Sequence, residues 1–233
     1  MLNSANYGPV IITKAVTITS EGAVAGVLAT TGVGITITAG ASDVVNLRGL
    51  DIDGGKTGAT GIQFSSGSAL NIQRSNIRGF TGSGINFAPT VASSLFVSDT
   101  TVSNNQGNGV LVSGGAAAVK AALTRVTATG NGVGFFASGA SVTMTVADAV
   151  ASNNTYGIGA NAAAVMVRNS AVSSNSVGIA ADQNAIVRVG QSTVSANATG
   201  WQATNGGQTQ SYGNNNVSGN ASDGTISTTV ALQ

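Results

Sequence analysis

The feature that most constrains this chain is a short sequence pattern that returns about every 22 residues. The stretch "AVSSNSVGIA" at residues 171–180 has close relatives in "TVSANATGWQ" at 193–202 and "NVSGNASDGT" at 216–225. With Val172 as the reference, equivalent residues recur at separations between 21 and 26 residues. These residues are Ile52, Ile77, Val102, Ala128, Ala151, Val172, Val194 and Val217. Such a period indicates a solenoid of stacked repeats.

Other columns of the repeat align at the same time. Seven residues before the reference stand Val45, Leu70, Leu95, Ala121, Met144, Val165, Val187 and Gln210. Five residues before it stand Leu47, Ile72, Val97, Leu123, Val146, Val167, Val189 and Tyr212. A glycine followed by an apolar residue comes after the reference, from Gly61-Ile62 to Gly200-Trp201. Several columns that align together indicate that one structural unit is repeated along the chain.

Each repeat has the pattern of three short strands. Apolar residues alternate over a few positions, as in Val165-x-Val167, and period two is typical of a strand with one buried face. Such strands bury their apolar side only when each repeat stacks on the one before it, at about 4.8 Å per coil. We therefore predict an all-β, single-stranded, right-handed parallel β-helix of eight to nine coils, each of about 21–26 residues. Leu123, Val146, Val167 and Val189 should then be vertical neighbours.

The repeat predicts one β-helix domain over residues 1–233. We expect less regular coils in 1–40, regular coils in 41–226 and a C-terminal strand or tail in 227–233. No amphipathic helix precedes "VIITKAV", and open strand edges pair readily unless they are capped. Two interpretations stay open: a natural N-terminal cap is missing, or two chains meet end to end.

Composition excludes several functional classes. Nine basic and eight acidic residues leave no basic stripe, so nucleic acid is not an expected partner. The chain has no cysteine and no histidine, which excludes disulfides, thiol nucleophiles, zinc–cysteine sites and Ser-His-Asp triads. No run of 18 apolar residues occurs, so membrane insertion is not expected.

One column of the repeat is asparagine. Its members are Asn105, Asn131, Asn154, Asn175, Asn197 and Asn220. Stacked amide side chains can hydrogen-bond along the solenoid axis, and asparagine tolerates the left-handed backbone of a tight bend. The pattern predicts a structural asparagine ladder at one bend, with ligand binding by these side chains as the alternative.

A second column carries charges of alternating sign. Three residues before the reference stand Arg74, Asp99, Arg125 and Asp148. This order predicts a salt-bridge ladder along one edge, in which each exposed pair contributes about 0.2–1 kcal/mol. Asp53 and Arg78 stand one residue after the reference in consecutive coils and should pair in the same way.

The segment "RGLDIDGGK" holds the densest group of candidate catalytic residues. Arg48, Asp51 and Asp53 lie within six positions, and the two carboxylates should project to one face of a strand or bend. Such a pair can hold a hard cation such as Ca²⁺ or act as acid and base on a sugar. The next coil offers no matching carboxylates, so a solvated charged bend is the favoured interpretation.

The coils "VRNSAVSSNSVGI" and "VRVGQSTVSANATGW" resemble those of the right-handed parallel β-helix superfamily, which includes pectate lyases and polygalacturonases. They resemble more closely the bacterial right-handed β-helix repeat proteins of unassigned function, over nearly the whole chain. The resemblance implies a secreted or envelope-associated protein. It also implies that a lyase would carry calcium-binding aspartates and an arginine on the outer face of one sheet, and that a hydrolase would carry several aspartates.

The outward positions do not supply such a set. After the glycine-apolar step they are Gln63, Asn86, Leu111, Phe136, Gly159, Ala180 and Gln202. On the middle strand they are Asn46, Asn71, Phe96, Ala122, Thr145, Met166, Arg188 and Ser211. Neither row contains a carboxylate, so no catalytic residue carries over from the enzymes.

The same rows contain apolar side chains on neighbouring coils. Phe96, Leu111, Phe136 and Met166 should all face away from the core. An exposed apolar patch of this kind is typical of a contact with another chain or an extended ligand. Scattered surface residues, or a patch covered by a loop, are the alternative.

Together these observations favour a non-catalytic β-solenoid that serves as a structural or binding module. The first alternative is a polysaccharide lyase that uses Arg48, Asp51 and Asp53 with Ca²⁺, and the second is a glycan-binding module without turnover. We expect no cofactor outside the lyase alternative. The expected partners are a polysaccharide, or a second copy bound through the solenoid ends or the apolar patch.

Overall fold

The computed structural model describes residues 5–20 and 25–231 of the chain. These residues form thirty short β-strands. The first three coils contain β1 (Ala5–Tyr7), β2 (Val10–Ile12), β3 (Val16–Thr19), β4 (Ala25–Leu28), β5 (Val33–Thr38), β6 (Val44–Arg48), β7 (Leu50–Asp53), β8 (Thr60–Ser66) and β9 (Ala69–Gln73). The next four contain β10 (Asn76–Arg78), β11 (Ile85–Phe87), β12 (Ser93–Ser98), β13 (Thr101–Ser103), β14 (Asn108–Ser113), β15 (Val119–Thr124), β16 (Thr127–Thr129), β17 (Val133–Ser138), β18 (Val142–Ala147), β19 (Val150–Ser152), β20 (Tyr156–Asn161) and β21 (Ala164–Arg168). The last three contain β22 (Ala171–Ser173), β23 (Val177–Asp182), β24 (Ile186–Gly190), β25 (Thr193–Ser195), β26 (Thr199–Ala203), β27 (Gln208–Ser211), β28 (Asn216–Ser218), β29 (Ser222–Gly224) and β30 (Thr228–Thr229).

Every third strand belongs to the same sheet, so the chain winds through three parallel sheets in turn. Sheet A begins with β1, sheet B with β2 and sheet C with β3, and each contains ten strands in chain order. The ten strands of each sheet are joined by nine steps from one coil to the next, so the solenoid makes about nine turns. The predicted all-β solenoid with three strands per coil is therefore confirmed. None of the described residues belongs to a helix long and apolar enough to cross a membrane.

The predicted vertical neighbours are in register on four consecutive strands of sheet C. Leu123 pairs with Val146, Val146 with Val167, and Val167 with Val189. All four side chains are fully buried. Burying a valine or leucine side chain stabilises a fold by about 1.5–3 kcal/mol, so each added coil extends the same apolar interior.

The interior changes composition along the axis. Early coils are filled by large side chains, and the rings of Phe64 and Phe87 stack with their centroids 4.5 Å apart. Phe80 fills the bend between sheets A and B, where a Cβ added to Gly54 or Gly61 would lie within 3.1 Å of its ring. Later coils use valine and alanine instead, as at Ala128, Ala151 and Val172.

The register of the last complete coil differs from the sequence prediction by one residue. Thr209 pairs with Val187 and Ser211 with Val189, so Gln210 and Tyr212 do not occupy the core columns. Ser211, predicted to face outward, is buried. The reason is that its hydroxyl has partners there: it accepts hydrogen bonds from Gly213 N at 3.0 Å and from an asparagine amide at 2.9 Å.

Candidate functional site

Asp51 and Asp53 project from the same face of β7, as predicted. The adjacent strand β10 provides their partner: the Arg78 guanidinium forms salt bridges with both carboxylates, at 3.0 Å for Asp53. Asn76 Nδ2 donates to Asp51 Oδ1 at 3.0 Å, and Gly55 N donates to Asp53 Oδ1 at 2.8 Å. The Asp51 carboxylate raises the pKa of Arg78, mainly through their hydrogen bond. One guanidinium thus balances one of the two carboxylates, and the cluster keeps an excess negative charge.

Arg48 is not the arginine that meets these two aspartates in a salt bridge. It closes β6 in sheet C, whereas Asp51 and Asp53 belong to sheet A. Within residues 5–20 and 25–231, no three acidic, histidine or cysteine residues come together as metal ligands. The structure therefore brings together two of the three candidate catalytic residues and adds Arg78.

The charged column lies at the bend between sheets C and A. Arg125 binds Asp99 through Nε at 2.6 Å and Nη2 at 3.0 Å, and this hydrogen bonding lowers the pKa of Asp99. Arg74 acts on Asp99 by charge alone, and Asp148 accepts a hydrogen bond from Asn169 Nδ2 at 2.5 Å. Among the described residues, the column therefore contains one close ion pair and not a continuous ladder.

All four members of this column have left-handed backbones, with φ between 49° and 54°. Residues other than glycine seldom adopt this conformation, and here it turns the chain from one sheet into the next. The long charged side chains consequently project from the tip of a bend into solvent.

The six asparagines form one hydrogen-bonded column at the bend between sheets A and B. Each Nδ2 donates to Oδ1 of the asparagine in the next coil, at 2.9 to 3.2 Å. The backbone N–H of each asparagine donates to the same Oδ1. The column begins where Phe80 N donates to Asn105 Oδ1 at 3.0 Å and ends where Asn220 Nδ2 donates to Asp223 Oδ1 at 2.8 Å.

The asparagines of the column do not adopt the left-handed conformation that we predicted for them. The residue before each one does, as in Asn104, Asn153 and Ser174, with φ between 55° and 58°. That preceding residue makes the turn, which leaves the asparagine side chain free to point inward. Five of the six side chains are buried there, Asn220 at the end of the column is half-buried, and the amides are occupied by hydrogen bonds within the protein.

The four predicted patch residues fall into two groups on different sheets. Leu111 and Phe136 are register neighbours in sheet B. Phe96 and Met166 belong to sheet C, where β15 and β18 separate their strands. All four are half-buried. The four residues therefore lie on two different faces of the solenoid, as in the alternative of scattered surface residues, because the two rows of outward positions belong to different sheets.

Every described carboxylate has a protein partner. Asp51, Asp53 and Asp99 bind arginines, as described above. The other four aspartates accept hydrogen bonds from backbone or side-chain groups, and they are Asp43, Asp148, Asp182 and Asp223. Acid–base work on a sugar needs a carboxyl group that is free to exchange a proton with the substrate.

Two arginines without a close partner lie on adjacent strands. Arg168 and Arg188 lie on the neighbouring strands β21 and β24 of sheet C, where Met166 pairs with Arg188. Within the described part of the chain, neither guanidinium has a salt bridge, and neither donates a hydrogen bond. A guanidinium presents a fork of donors that matches a carboxylate or phosphate, and these two forks are open to solvent on one face.

An open groove of about 500 Å³ has Arg168 in its lining, and we call it the arginine groove. Arg188 pairs with Met166 of this lining but is not itself part of it. It is lined by Met166, Arg168, Gly190, Tyr212, Val230 and Ala231, among others. Tyr212 packs closely against Gly190, which has no side chain: a Cβ there would be 3.1 Å from Tyr212 Cδ2. The groove therefore combines a cation, an aromatic ring and apolar walls.

The sequence carries one sign of this groove, which hydrophobic alternation does not reveal. Arg188 stood in an outward row with no acidic residue beside it in the neighbouring coils. The one-residue register error then placed Tyr212 in the core, which concealed its position beside Gly190.

Comparisons with known proteins agree with this architecture. The family model described as a right-handed β-helix region matches residues 3–148 and 60–222. The sequence matches no curated protein.

Three solved structures are similar at low sequence identity. The A-module of the mannuronan C-5 epimerase AlgE4 from Azotobacter vinelandii is 12% identical with a TM-score of 0.56, over 99% of this chain and 90% of the module. The AlgE6 A-module from the same organism is 12% identical with a TM-score of 0.57, over 99% and 86%. The enzymatically active domain of tailspike protein 2 from bacteriophage CBA120 is 13% identical with a TM-score of 0.53, over 90% and 38%. At this identity the similarity concerns the fold.

Proposed function

The chain belongs to the family of right-handed β-helix proteins, and within this family we propose that it is a non-catalytic module that binds an acidic polysaccharide through the arginine groove. The observation that carries the proposal is the unpaired guanidinium of Arg168, which lines the groove together with Tyr212. A second unpaired guanidinium, that of Arg188, lies on the adjacent strand. Uronate carboxylates accept hydrogen bonds from such forks, and the apolar face of a sugar ring packs on tyrosine.

The state of the aspartates supports binding without turnover. All seven described carboxylates accept hydrogen bonds or salt bridges from protein donors, and those nearest to a catalytic arrangement, Asp51 and Asp53, share the Arg78 guanidinium. The arginine groove itself has no carboxylate in its lining. An anionic polymer is thus attracted to the groove without meeting an acid–base pair.

The structural neighbours add a further point in favour of a polysaccharide. Two of them are modules of mannuronan C-5 epimerases, and the third is an enzymatically active tailspike domain. A β-solenoid presents a long straight face on which successive coils meet successive units of a polymer.

The test is titration of the protein with mannuronan, polygalacturonate and neutral dextran by isothermal calorimetry. We expect the two acidic polymers to bind and dextran not to bind. Arg168→Met retains the apolar stem and removes the charge, and it should weaken binding about tenfold, or about 1.4 kcal/mol. Arg188→Met, outside the lining, should weaken binding less. Arg125→Met is the matched control, because that arginine already has a carboxylate partner. Unchanged affinity in Arg168→Met, or equal binding of dextran, would contradict the proposal.

The second candidate function is the polysaccharide lyase expected from Arg48, Asp51 and Asp53, although Arg48 lies in another sheet and the described residues offer no group of three carboxylates for Ca²⁺. Its support is that the structural neighbours include enzymes that act on mannuronan by name. Incubation with acidic polysaccharides, with and without calcium, would reveal a lyase by a rise in the absorbance of unsaturated sugars. A signal that Asp53→Ala abolishes would establish turnover and overturn the non-catalytic proposal.

A further inference from the structure

A second groove lies on the outer face of sheet B. The arginine groove and the cluster of Asp51, Asp53 and Arg78 belong to the other two sheets. Four neighbouring strands form this second groove, β17, β20, β23 and β26, and its volume is about 270 Å³. Its lining includes Phe136, Tyr156, Gly159, Ala180, Asp182 and Gln202, and we call it the sheet B groove. This volume is at the lower end of ligand pockets in proteins, which suits a small ligand.

The groove exists because two successive outward positions carry almost no side chain. Phe136, Gly159, Ala180 and Gln202 follow one another in register across the four strands. Gly159 and Ala180 form the floor between the two longer side chains. The Phe136 ring lies against this floor, since a Cβ on Gly159 would be 2.9 Å from its Cδ2.

The two long sides of the floor differ in chemistry. On one side Tyr156 stands on β20, 37% exposed, so that part of its ring is open to the groove. On the other side Asn161 and Asp182 are register neighbours on β20 and β23. An aromatic wall opposite a polar wall matches a sugar ring, which has an apolar face and hydroxyl groups at its rim.

The carboxylate of Asp182 is held in place. Thr204 Oγ1 and Asn205 Nδ2 both donate to its Oδ1, at 2.9 and 2.7 Å. These bonds lower the pKa of Asp182, so the group is ionised at neutral pH. Neither lysine nor arginine lines the groove, and its only charge is therefore negative.

We propose that the sheet B groove binds one neutral pyranose ring, with Phe136 and Tyr156 against its apolar face and Asp182 and Gln202 bonded to its hydroxyls. The negative charge repels uronates, so this ligand class is opposite to that of the arginine groove. Since the two grooves lie on different sheets, this site does not depend on the proposed function.

The experiment is chemical-shift mapping of the ¹⁵N-labelled protein with methyl glycosides of glucose, galactose, mannose and N-acetylglucosamine. Glucuronate is the charged control. Each sugar is added up to about 100 mM, where a millimolar site is saturated. At least one neutral glycoside should shift the amides of Tyr156, Gly159, Ala180 and Asp182, and glucuronate should not.

Two variants identify the site. Ala180→Leu fills the floor and should abolish the shifts, whereas Ala122→Leu, at an outward position of sheet C, should leave them unchanged. Asp182→Asn keeps the shape, removes the charge and should weaken binding about tenfold. The proposal is overturned if none of the four glycosides shifts these amides, if glucuronate binds as tightly, or if Ala180→Leu still binds.

Discussion

Two columns of this solenoid place one polar residue per coil at a bend, and they differ in burial. The asparagine column lies between sheets A and B, where Asn105 is 1% exposed. The charged column lies between sheets C and A, where the side chain of Arg125 is 59% exposed and that of Asp99 is 37% exposed. Regular spacing of a column in the sequence therefore does not show how much that column stabilises the stacking of the coils.

The physical reason is the solvent. A buried amide that loses its partner pays the full cost of desolvation, about 1–3 kcal/mol for each unsatisfied group. An exposed ion pair exchanges its partner for water and is screened by salt. We therefore expect substitutions in the buried column to cost more than substitutions in the charged column.

The largest expected effect is at the start of the buried column. Phe80→Ala should destabilise the protein by about 3–5 kcal/mol, because removal of the ring leaves a cavity beside the glycines that pack on it. The midpoint of urea denaturation measures the change. A loss below about 1 kcal/mol would show that the bend collapses around the smaller side chain.

The next effect is within the amide ladder. Asn154→Leu should cost about 3 kcal/mol, since the N–H and Nδ2 groups of Asn131 lose their acceptor. Asn153→Gly is the control: this exposed residue keeps its left-handed backbone as glycine, so the change should stay within about 0.5 kcal/mol. Equal losses of stability for the two variants would contradict the expectation that the buried amide matters more than the turn residue before it.

A smaller effect is expected for the charge cluster on sheet A. Arg78→Met leaves Asp51 and Asp53 on one face without their cation and should cost about 1 kcal/mol at low salt. Repeating the denaturation at about 1 M salt should remove most of the difference, because the Debye length is then about 3 Å. A loss that salt does not change would indicate packing by the arginine stem as the cause.

The smallest effect concerns the exposed ion pair. Arg125→Met should shift the denaturation midpoint least of these variants, and it should raise the pKa of Asp99 towards its ordinary value. A lowered pKa in the folded state means that the pair contributes above the unfolded pKa of about 3.9, and that this contribution is lost as pH falls through the folded pKa. NMR titration of the Asp99 carboxyl carbon measures the shift. An unaltered pKa would contradict the assignment of Arg125 as its cause.

The sequence was sufficient for the fold because each coil repeats the same burial pattern. Leu123, Val146 and Val167 are apolar for the reason that was predicted, namely their position inside stacked strands. The prediction failed where a buried position carried a polar side chain, as at Ser211, because hydrophobic alternation cannot detect a hydroxyl that finds internal partners. It also assigned the left-handed turn conformation to Asn154. The preceding residue, Asn153, makes that turn, and the Asn154 side chain points inward.

The candidate sites were less accessible to sequence reasoning. Pairing of Asp53 with Arg78 followed from the repeat, but the addition of Asp51 required knowledge of where the guanidinium points. The two grooves depend on small residues, Gly159 and Gly190, that expose the rings of their neighbours. A glycine in a strand does not reveal from its own coil which side chain of the adjacent coil will lie across it.

The amide ladder has a direction, and this has a consequence for how such a molecule can change its length. Every asparagine side chain in it accepts hydrogen bonds from the coil before, and all but the last donate one to the coil after. The Asp223 carboxylate, which only accepts, terminates the series. A duplicated coil inserted between Phe80 and Asp223 would meet matching groups on both sides. A coil attached beyond Asp223 would find no amide to extend, so growth by gene duplication is favoured in the middle of the stack.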